Sequence, residues 1–284
     1  MSVLVKGQMT ESGTNHLCLI AGKGVYPLLL AESARRQGVN KLDVIAFRKE
    51  TDPSIADLAD NTHWIHVGDL GGMLNALEKT GAVKAVMAGQ ITPSNLFRMR
   101  MDRKMLSLLK RLNIRNAETI FGAVAEEMKR AGVELIPAST FMESHMPAAG
   151  TLTEHEPSAE IRLDMEFGMK IARAMSNLDI GQTVVVKQGT VLAVEAFEGT
   201  NDAIRRAGSL GGAGIVAAKA AKSGHDMRFD IPVVGPDTIK LLKKTRARGL
   251  AIEEGRSILL ERDRVIREAD RAGICVVAVE RGDV

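Results

Sequence analysis

Aromatic residues make up only 3% of the 284-residue chain, with one Trp and one Tyr. A surface that stacks bases needs such rings, so no nucleic-acid partner is expected. Cysteine is equally scarce: Cys18 and Cys275 both sit inside apolar runs, HLCLIAG and GICVVAV. Thiols placed this way read as buried and reduced, not as a disulfide or a metal pair, which favours a cytoplasmic protein. No apolar run approaches the ~20 residues that span a bilayer. The polar start MSVLVKGQMTESGTNH lacks the long apolar core of an export signal, so residues 1–14 are expected to form a loose extension. An excess of one charge is missing too, with 38 basic against 35 acidic residues. There is no internal repeat and no low-complexity tract.

What is present is apolar material, 45% of a chain longer than one core usually serves, so two domains are expected. Residues 16–21 form an apolar run that ends in Gly22-Lys23-Gly24, and a helical pattern follows over 25–36. Further apolar segments at 42–47, 62–67, 83–88 and 133–137 alternate with helical ones at 70–79 and 117–130. Strands alternating with helices predict a parallel, doubly wound α/β fold. The prolines and glycines between Met146 and Pro157 mark a boundary near residue 148, which gives domains 15–148 and 149–284. In the second half, strands are predicted at 183–187, 191–195, 214–218, 250–253, 257–260 and 274–279, with helices at 158–176, 202–207, 236–246 and 263–271.

Several patterns carry chemistry. Gly22-x-Gly24 before a helix lets backbone approach a phosphate at the helix N-terminus, although the third glycine of a dinucleotide fingerprint is absent. Binding of a nicotinamide cofactor, binding of another phosphate group and a purely structural turn all stay open there. Residues 96–115, LFRMRMDRKMLSLLKRLNIR, set seven Arg or Lys against the single Asp102, interleaved with Met, Leu and Phe. Such a segment suits an anionic lipid surface or acyl chains, and equally a helix that buries one side while its basic stems snorkel. His63 and His66 are three apart, a spacing that points them to opposite faces of a strand and away from a shared metal.

The densest constellation lies in the second half. Polar and apolar residues alternate from Asp226 to Ile231, so a strand there would carry Asp226, Arg228 and Asp230 on one face. The plain alternative is an edge strand with a salt bridge between neighbours. Glu195 ends one predicted strand, Glu198-Gly199-Thr200 turns into a helix with Asp202 in its first turn, and Lys219 follows another strand. Ligands collect outside the carboxyl ends of strands in open sheets, where these groups would gather. Thr200 and Asp202 also suit ordinary helix capping. On a regular strand the Asp226 and Asp230 Cα atoms stand roughly 13 Å apart, while oxygens on one small divalent cation lie within ~4 Å. One ion cannot easily take both, so a second ligand would come from Glu195 or Asp202.

Taken together, Ile20-Ala-Gly-x-Gly24 with Pro27, Gly181-Gln-x-Val-Val-Val186, Gly189-x-Val-Leu-Ala-Val-Glu-Ala-x-Glu-Gly-Thr200, Asp226-x-Arg-x-Asp-x-Pro-x-x-Gly235 and Gly249-Leu-Ala-Ile-x-x-x-Gly255 resemble the LpxI family of UDP-2,3-diacylglucosamine pyrophosphatases. The resemblance runs from about residue 16 to 280, and its stretches 181–200 and 226–235 are the specific ones. It implies a Rossmann-like N-terminal domain, a catalytic C-terminal α/β domain and an active site in the cleft between them. It also implies magnesium-dependent hydrolysis of the lipid-linked UDP-sugar to UMP and 2,3-diacylglucosamine 1-phosphate, in lipid A biosynthesis at the cytoplasmic face of the inner membrane. Carried onto this chain, the resemblance makes Asp230 the first metal-binding or catalytic acid and Asp226 the second. The constellation adds Glu195, as a second metal ligand or, like Asp226, as a catalytic acid that orients or deprotonates the water. Gly22, Gly24, Thr200, Lys219 and Arg228 are the expected substrate contacts. The chain departs from the family pattern just before Asp226, where it reads Lys222-Ser-Gly-His225. A homodimer stays open, as do a non-catalytic nucleotide- or lipid-sensing module and an NADP-dependent oxidoreductase, the last suggested by Arg48-Lys49 after the second strand.

Overall fold

The computed structural model describes residues 14–91, 101–114, 116–222, 227–229 and 231–280. The chain divides into two compact units, Met1–Phe141 and Met142–Val284. In the first unit five strands, β1 (His16–Ala21), β2 (Lys41–Phe47), β3 (Asn61–Ile65), β4 (Lys84–Ala88) and β5 (Glu134–Leu135), lie in the order β3-β2-β1-β4-β5. All are parallel. Central β1 is buried from Leu17 to Ala21, which is why LCLIA contains no polar residue: a parallel strand covered on both faces reads as a continuous apolar run. Helices α1 (Tyr26–Arg36), α2 (Leu70–Thr80), α3 (Arg103–Lys110) and α4 (Ala117–Arg130) fall between the strands.

The turn after β1 is locked by close backbone contact. Gly22 N donates to Ala88 O at 2.8 Å, and Lys23 N donates to Gln90 O at 2.7 Å. A Cβ on Gly22 would lie 2.6 Å from Gln90 O, so only glycine fits. In the basic segment, Asp102 caps α3 by accepting from Met105 N at 2.7 Å and also accepts from Gly71 N at 2.7 Å at the start of α2. The one acid among seven bases therefore joins two helix N-termini, where a carboxylate is favoured.

In the second unit six strands, β6 (Gly150–Thr151), β7 (Thr183–Lys187), β8 (Thr190–Val194), β9 (Val216–Lys219), β11 (Gly249–Glu253) and β13 (Cys275–Val279), form a mixed sheet in the order β6-β13-β11-β9-β7-β8. β9, β11 and β13 are mutually parallel, while β6, and β7 with its hairpin partner β8, supply antiparallel pairings. A separate parallel pair joins β10 (Val233–Val234) to β12 (Ile258–Leu259). Alternate residues of β9 face opposite layers, as strand geometry requires. Val216 and Ala218 pack with Met165, Met169 and Ala172 of α5 (Ala159–Asn177). Ala217 packs with Ile204, Leu242 and Val265 of α6 (Thr200–Gly211), α7 (Pro236–Lys244) and α8 (Arg262–Ala272). The β7–β8 hairpin turns at Gln188 (φ 49°) and Gly189 (φ 71°). Buried Asp164 of α5 holds that turn by accepting from both backbone N–H groups at 2.8 Å.

One expected strand is corrected. Met227, Arg228 and Phe229 form a turn and not the centre of an alternating strand, so the charged-face reading fails at the described residues; Asp226 and Asp230 lie outside them. Pro232 lacks the N–H of a ladder donor, and the next strand, β10, begins only at Val233 and pairs with β12 outside the six-stranded sheet.

Both cysteines are buried and unpaired. Burial, helped by the charge of Asp43, pushes the Cys18 thiol up to about 12. Asp43 itself is fully buried in β2, 2.7 Å from His16 Nε2, and accepts from Asn61 Nδ2 at 2.7 Å with Lys41 Nζ at 3.5 Å. Burial alone would raise its carboxyl, but the Asn61 and His16 hydrogen bonds and the Lys41 and His16 charges outweigh it and hold the group below the ordinary carboxylate range. Its stabilisation is therefore fully present above the unfolded value of about 4 and is lost as pH falls through the lower folded value. Thermal melts of the parent and of Asp43→Asn from pH 7 to about pH 2 are expected to show a shallower acid loss in the variant. An identical acid slope would remove Asp43 as its source.

Candidate active site

Several strands of the second sheet present their ends at one edge. β8 ends next to Glu195, β9 at Lys219 and β11 at Glu253, while β7 begins there with Thr183 opposite Lys219. Because β7 and β8 form a hairpin, their polar ends fall at the same edge as the carboxyl ends of the parallel strands. Thr183, Lys219 and Glu253 are buried.

The groups at this edge meet at one hydroxyl. Thr200 Oγ1, at the start of α6, donates to Glu195 Oε1 at 2.9 Å, accepts from Lys219 Nζ at 2.9 Å and lies 3.2 Å from Thr183 Oγ1. A hydroxyl has one proton and two acceptor positions, so with Thr183 donating every position of Thr200 is filled. Thr200 thereby fixes both the carboxylate and the ammonium. Gly199 precedes it with φ 85°, the backbone that lets the chain swing from β8 into α6.

Glu195 is placed by backbone as well. Its N–H donates to Thr183 O at 2.8 Å, and a Cβ on Gly181 would lie 2.1 Å from its carbonyl oxygen. Its second carboxylate oxygen, Oε2, is buried with no hydrogen-bond partner among the described residues. Such an orphaned acceptor costs about 1–3 kcal/mol, more when charged, and suits a cation or a water proton as the missing partner. Glu195 Oε2 thus fits as one hard oxygen donor to magnesium. Among the described residues no group of three His, Cys, Asp or Glu is arranged to hold a metal. The other expected donors, Asp226 and Asp230, lie outside those residues, as does His225.

Other acids of the sequence constellation turn away. Glu198 accepts from Arg206 Nη2 at 2.6 Å and from Ala196 N at 3.1 Å. Its own backbone N–H first, joined by Ala196 N–H and the charge and hydrogen bond of Arg206, outweighs the opposing effect of burial and holds its carboxyl low. Asp202 is ion-paired with Arg205 on the exposed side of α6. Arg228 lies in the turn with its guanidinium 5.8 Å from the Phe229 ring centroid. Gly22 and Gly24 belong to the first unit, where the Gly22 and Lys23 amides are taken by Ala88 and Gln90 and Gly24 holds φ 97°. A concave region of about 420 Å³ lined by Ser144, His145 and residues 261–264 contains none of these groups.

Two functional-edge residues escaped the sequence reading. Thr183 follows Gly181-Gln182 and looks like a routine strand residue, yet it braces the hydroxyl. Glu253 closes the apolar strand β11 and is only 1% exposed, pairing with Arg173 Nε at 2.7 Å. The available signal was a lone charge at the end of an otherwise apolar run.

The LpxI N-terminal domain profile matches residues 16–145, and the LpxI C-terminal domain profile matches residues 148–277. The UDP-2,3-diacylglucosamine pyrophosphatase LpxI of Caulobacter vibrioides is 30% identical over 276 residues, 93% of this chain and 97% of that protein. Among solved structures, the biotin carboxylase domain of Hydrogenobacter thermophilus 2-oxoglutarate carboxylase overlaps with a TM-score of 0.27 at 13% identity, over 61% of this chain and 35% of that one. The biotin carboxylase of Campylobacter jejuni gives 0.25 at 15% identity, over 68% and 41%. Overlaps this slight say nothing about fold or function. With both domain profiles matched in order and a relative aligned along nearly its whole length, the chain belongs to the LpxI family.

Proposed function

We propose that this chain hydrolyses the diphosphate of UDP-2,3-diacylglucosamine to UMP and 2,3-diacylglucosamine 1-phosphate, a step of lipid A biosynthesis. The observation that carries the reading is the buried, unpartnered Glu195 Oε2 joined through Thr200 to Lys219, in a chain whose relative bears that pyrophosphatase name. The strand order β3-β2-β1-β4-β5, with the Gly22–Gly24 turn following the central strand β1, supports a Rossmann-like first unit.

The diphosphate's own negative charge repels a nucleophile, so the first need is positive charge beside the phosphoryl oxygens. Lys219 brings an ammonium with one of its three donors committed to Thr200, leaving two for phosphate oxygens. Arg228 adds a guanidinium suited to the same oxygens. Glu195 Oε2 and Asp230 would hold magnesium, which would supply Lewis-acid neutralisation of those oxygens. Asp226 accepts the proton of a water that attacks the sugar-side phosphorus. The new bond joins that oxygen to phosphorus, the bridging P–O bond breaks, and UMP departs with the electron pair.

Contact with the cytoplasmic face of the inner membrane is proposed through the basic segment. No described helix is long and apolar enough to cross a membrane. α3 instead exposes Arg103, Lys104 and Lys110 beside Leu106, which is 47% exposed, as is 65% of Ile114 beyond it. Cations beside exposed aliphatic groups suit an anionic lipid surface.

Release of UMP, measured with and without magnesium, tests the reaction. Asp230→Asn and Glu195→Gln are each expected to lose about 10²–10³-fold in kcat, and near-parent turnover in a folded Asp230→Asn would refute that assignment. A parent that binds the lipid but releases no UMP even with magnesium would be a sensing module instead. Thr200→Val should cut turnover while Thr200→Ser, which keeps the hydroxyl, should retain most of it; equal loss in both would exclude the hydroxyl's bridging role. Reversing charge at Arg98, Arg100 and Arg103 is expected to weaken sedimentation with anionic liposomes, and unchanged binding would separate the segment from the membrane.

A further inference from the structure

The chain leaves β9 at Lys219, and the next three residues are held to an unusual degree for a segment without strand pairing. Ala220 N donates to Gln182 O at 2.9 Å, and Ala220 O accepts from Ser176 Oγ at 3.0 Å. Ala221 N donates to Glu253 Oε2 at 3.0 Å. Lys222 O accepts from Arg256 Nη2 at 2.6 Å, and Lys222 Nζ donates to Asp179 Oδ1 at 2.8 Å. Ala220 and Ala221 are buried, so their backbone groups need partners. Two of the partners of residues 220–222 come from one largely buried cluster of charges, Glu253 for Ala221 and Arg256 for Lys222.

That cluster is built around Glu253. Its Oε1 accepts from Arg173 Nε at 2.7 Å, and Arg256 Nη1 stands 3.9 Å from Oε2. The three side chains are 2%, 13% and 15% exposed. Arg173 also ties the cluster to the end of β13 by donating to Glu280 O at 2.8 Å. A buried ion cluster is a poor way to gain stability, since well-packed apolar side chains do as well or better. Charged forks do supply direction, which apolar packing cannot: Glu253 aims one oxygen at a specific N–H, and Arg256 aims one nitrogen at a specific carbonyl. Sequence continuity gives that direction a use. Four residues after Lys222 comes Asp226, and Asp230 follows.

We infer that Arg256, braced by Glu253 and Arg173, is a positioning residue for the hydrolysis. It anchors the Lys222 carbonyl and so sets where the chain that carries Asp226 and Asp230 begins. The inference rests on the proposed reaction and adds to it a group that touches no substrate atom.

Arg256→Met and Arg256→Lys test it, the second keeping the charge while losing the fork. In Arg256→Met, kcat for UMP release is expected to fall ~10-fold or more with KM within about 2-fold, because positioning acts on turnover. Arg256→Lys should recover part of that loss, and its result decides the matter where the Met variant does not fold. Hydrogen exchange supplies an arm independent of activity: peptides over residues 220–230 should exchange faster in the variants, while those over β11 keep the parent rate. Unchanged exchange over 220–230 overturns the inference, as does parent-like kcat in a variant whose exchange has changed. A parent without UMP release overturns the proposed reaction alone, leaving the exchange arm to judge whether Arg256 anchors the segment.

Discussion

β9 is paired on both sides, antiparallel to β7 and parallel to β11, and most of the second unit's chemistry hangs from that fact. A doubly paired strand cannot slide or twist without breaking two ladders, so Lys219 at its end is held in place. The flanking strands bring their own ends to the same edge, Thr183 from β7 and Glu253 from β11. Beyond β9 the chain turns at residues 227–229 and next pairs as β10, outside this sheet.

Hydrogen-bond capacity then sorts the polar groups at that edge. Thr200 can serve three partners and has three, so Glu195 and Lys219 are linked through it. Thr200 completes only one oxygen of Glu195, and the other is left buried and unsatisfied. Buried polar groups are nearly always paired, so this exception beside an ammonium at a strand edge is what the proposed reaction draws on. Glu198 and Asp202 lie close by in sequence yet are spent on Arg206 and Arg205.

Glycine enforces the arrangement at two places of close approach. At Gly22 a side chain would strike the Gln90 carbonyl, and at Gly181 it would strike the Glu195 carbonyl. Each site brings chain segments distant in sequence to within van der Waals contact. The motifs that carry the family resemblance are thus partly records of packing, even where they flank polar groups.

The order and type of most elements were legible from the sequence, because burial imposes period: LCLIA and TVVVK could be little else than covered strands, and the turn at Gln188-Gly189 separates β7 from β8. Glu195 and Lys219 were legible because each directly follows an apolar run, and Thr200 because Glu198-Gly199-Thr200 reads as the turn into a helix. Alternation at residues 226–231 misled, since a period of two records only that a strand would be amphipathic there, not that the segment pairs with another. Glu253, Arg173 and Arg256 were invisible as a group: they come from a strand, a helix and a turn up to 83 residues apart. By itself the sequence determined which segments are apolar, where they stop and which family motifs they carry, since those depend on neighbours along the chain. Only the tertiary structure decided which charges meet and which carboxylate oxygen stays unpaired, because these depend on strand order, and strand order is settled by pairing between segments far apart in the chain.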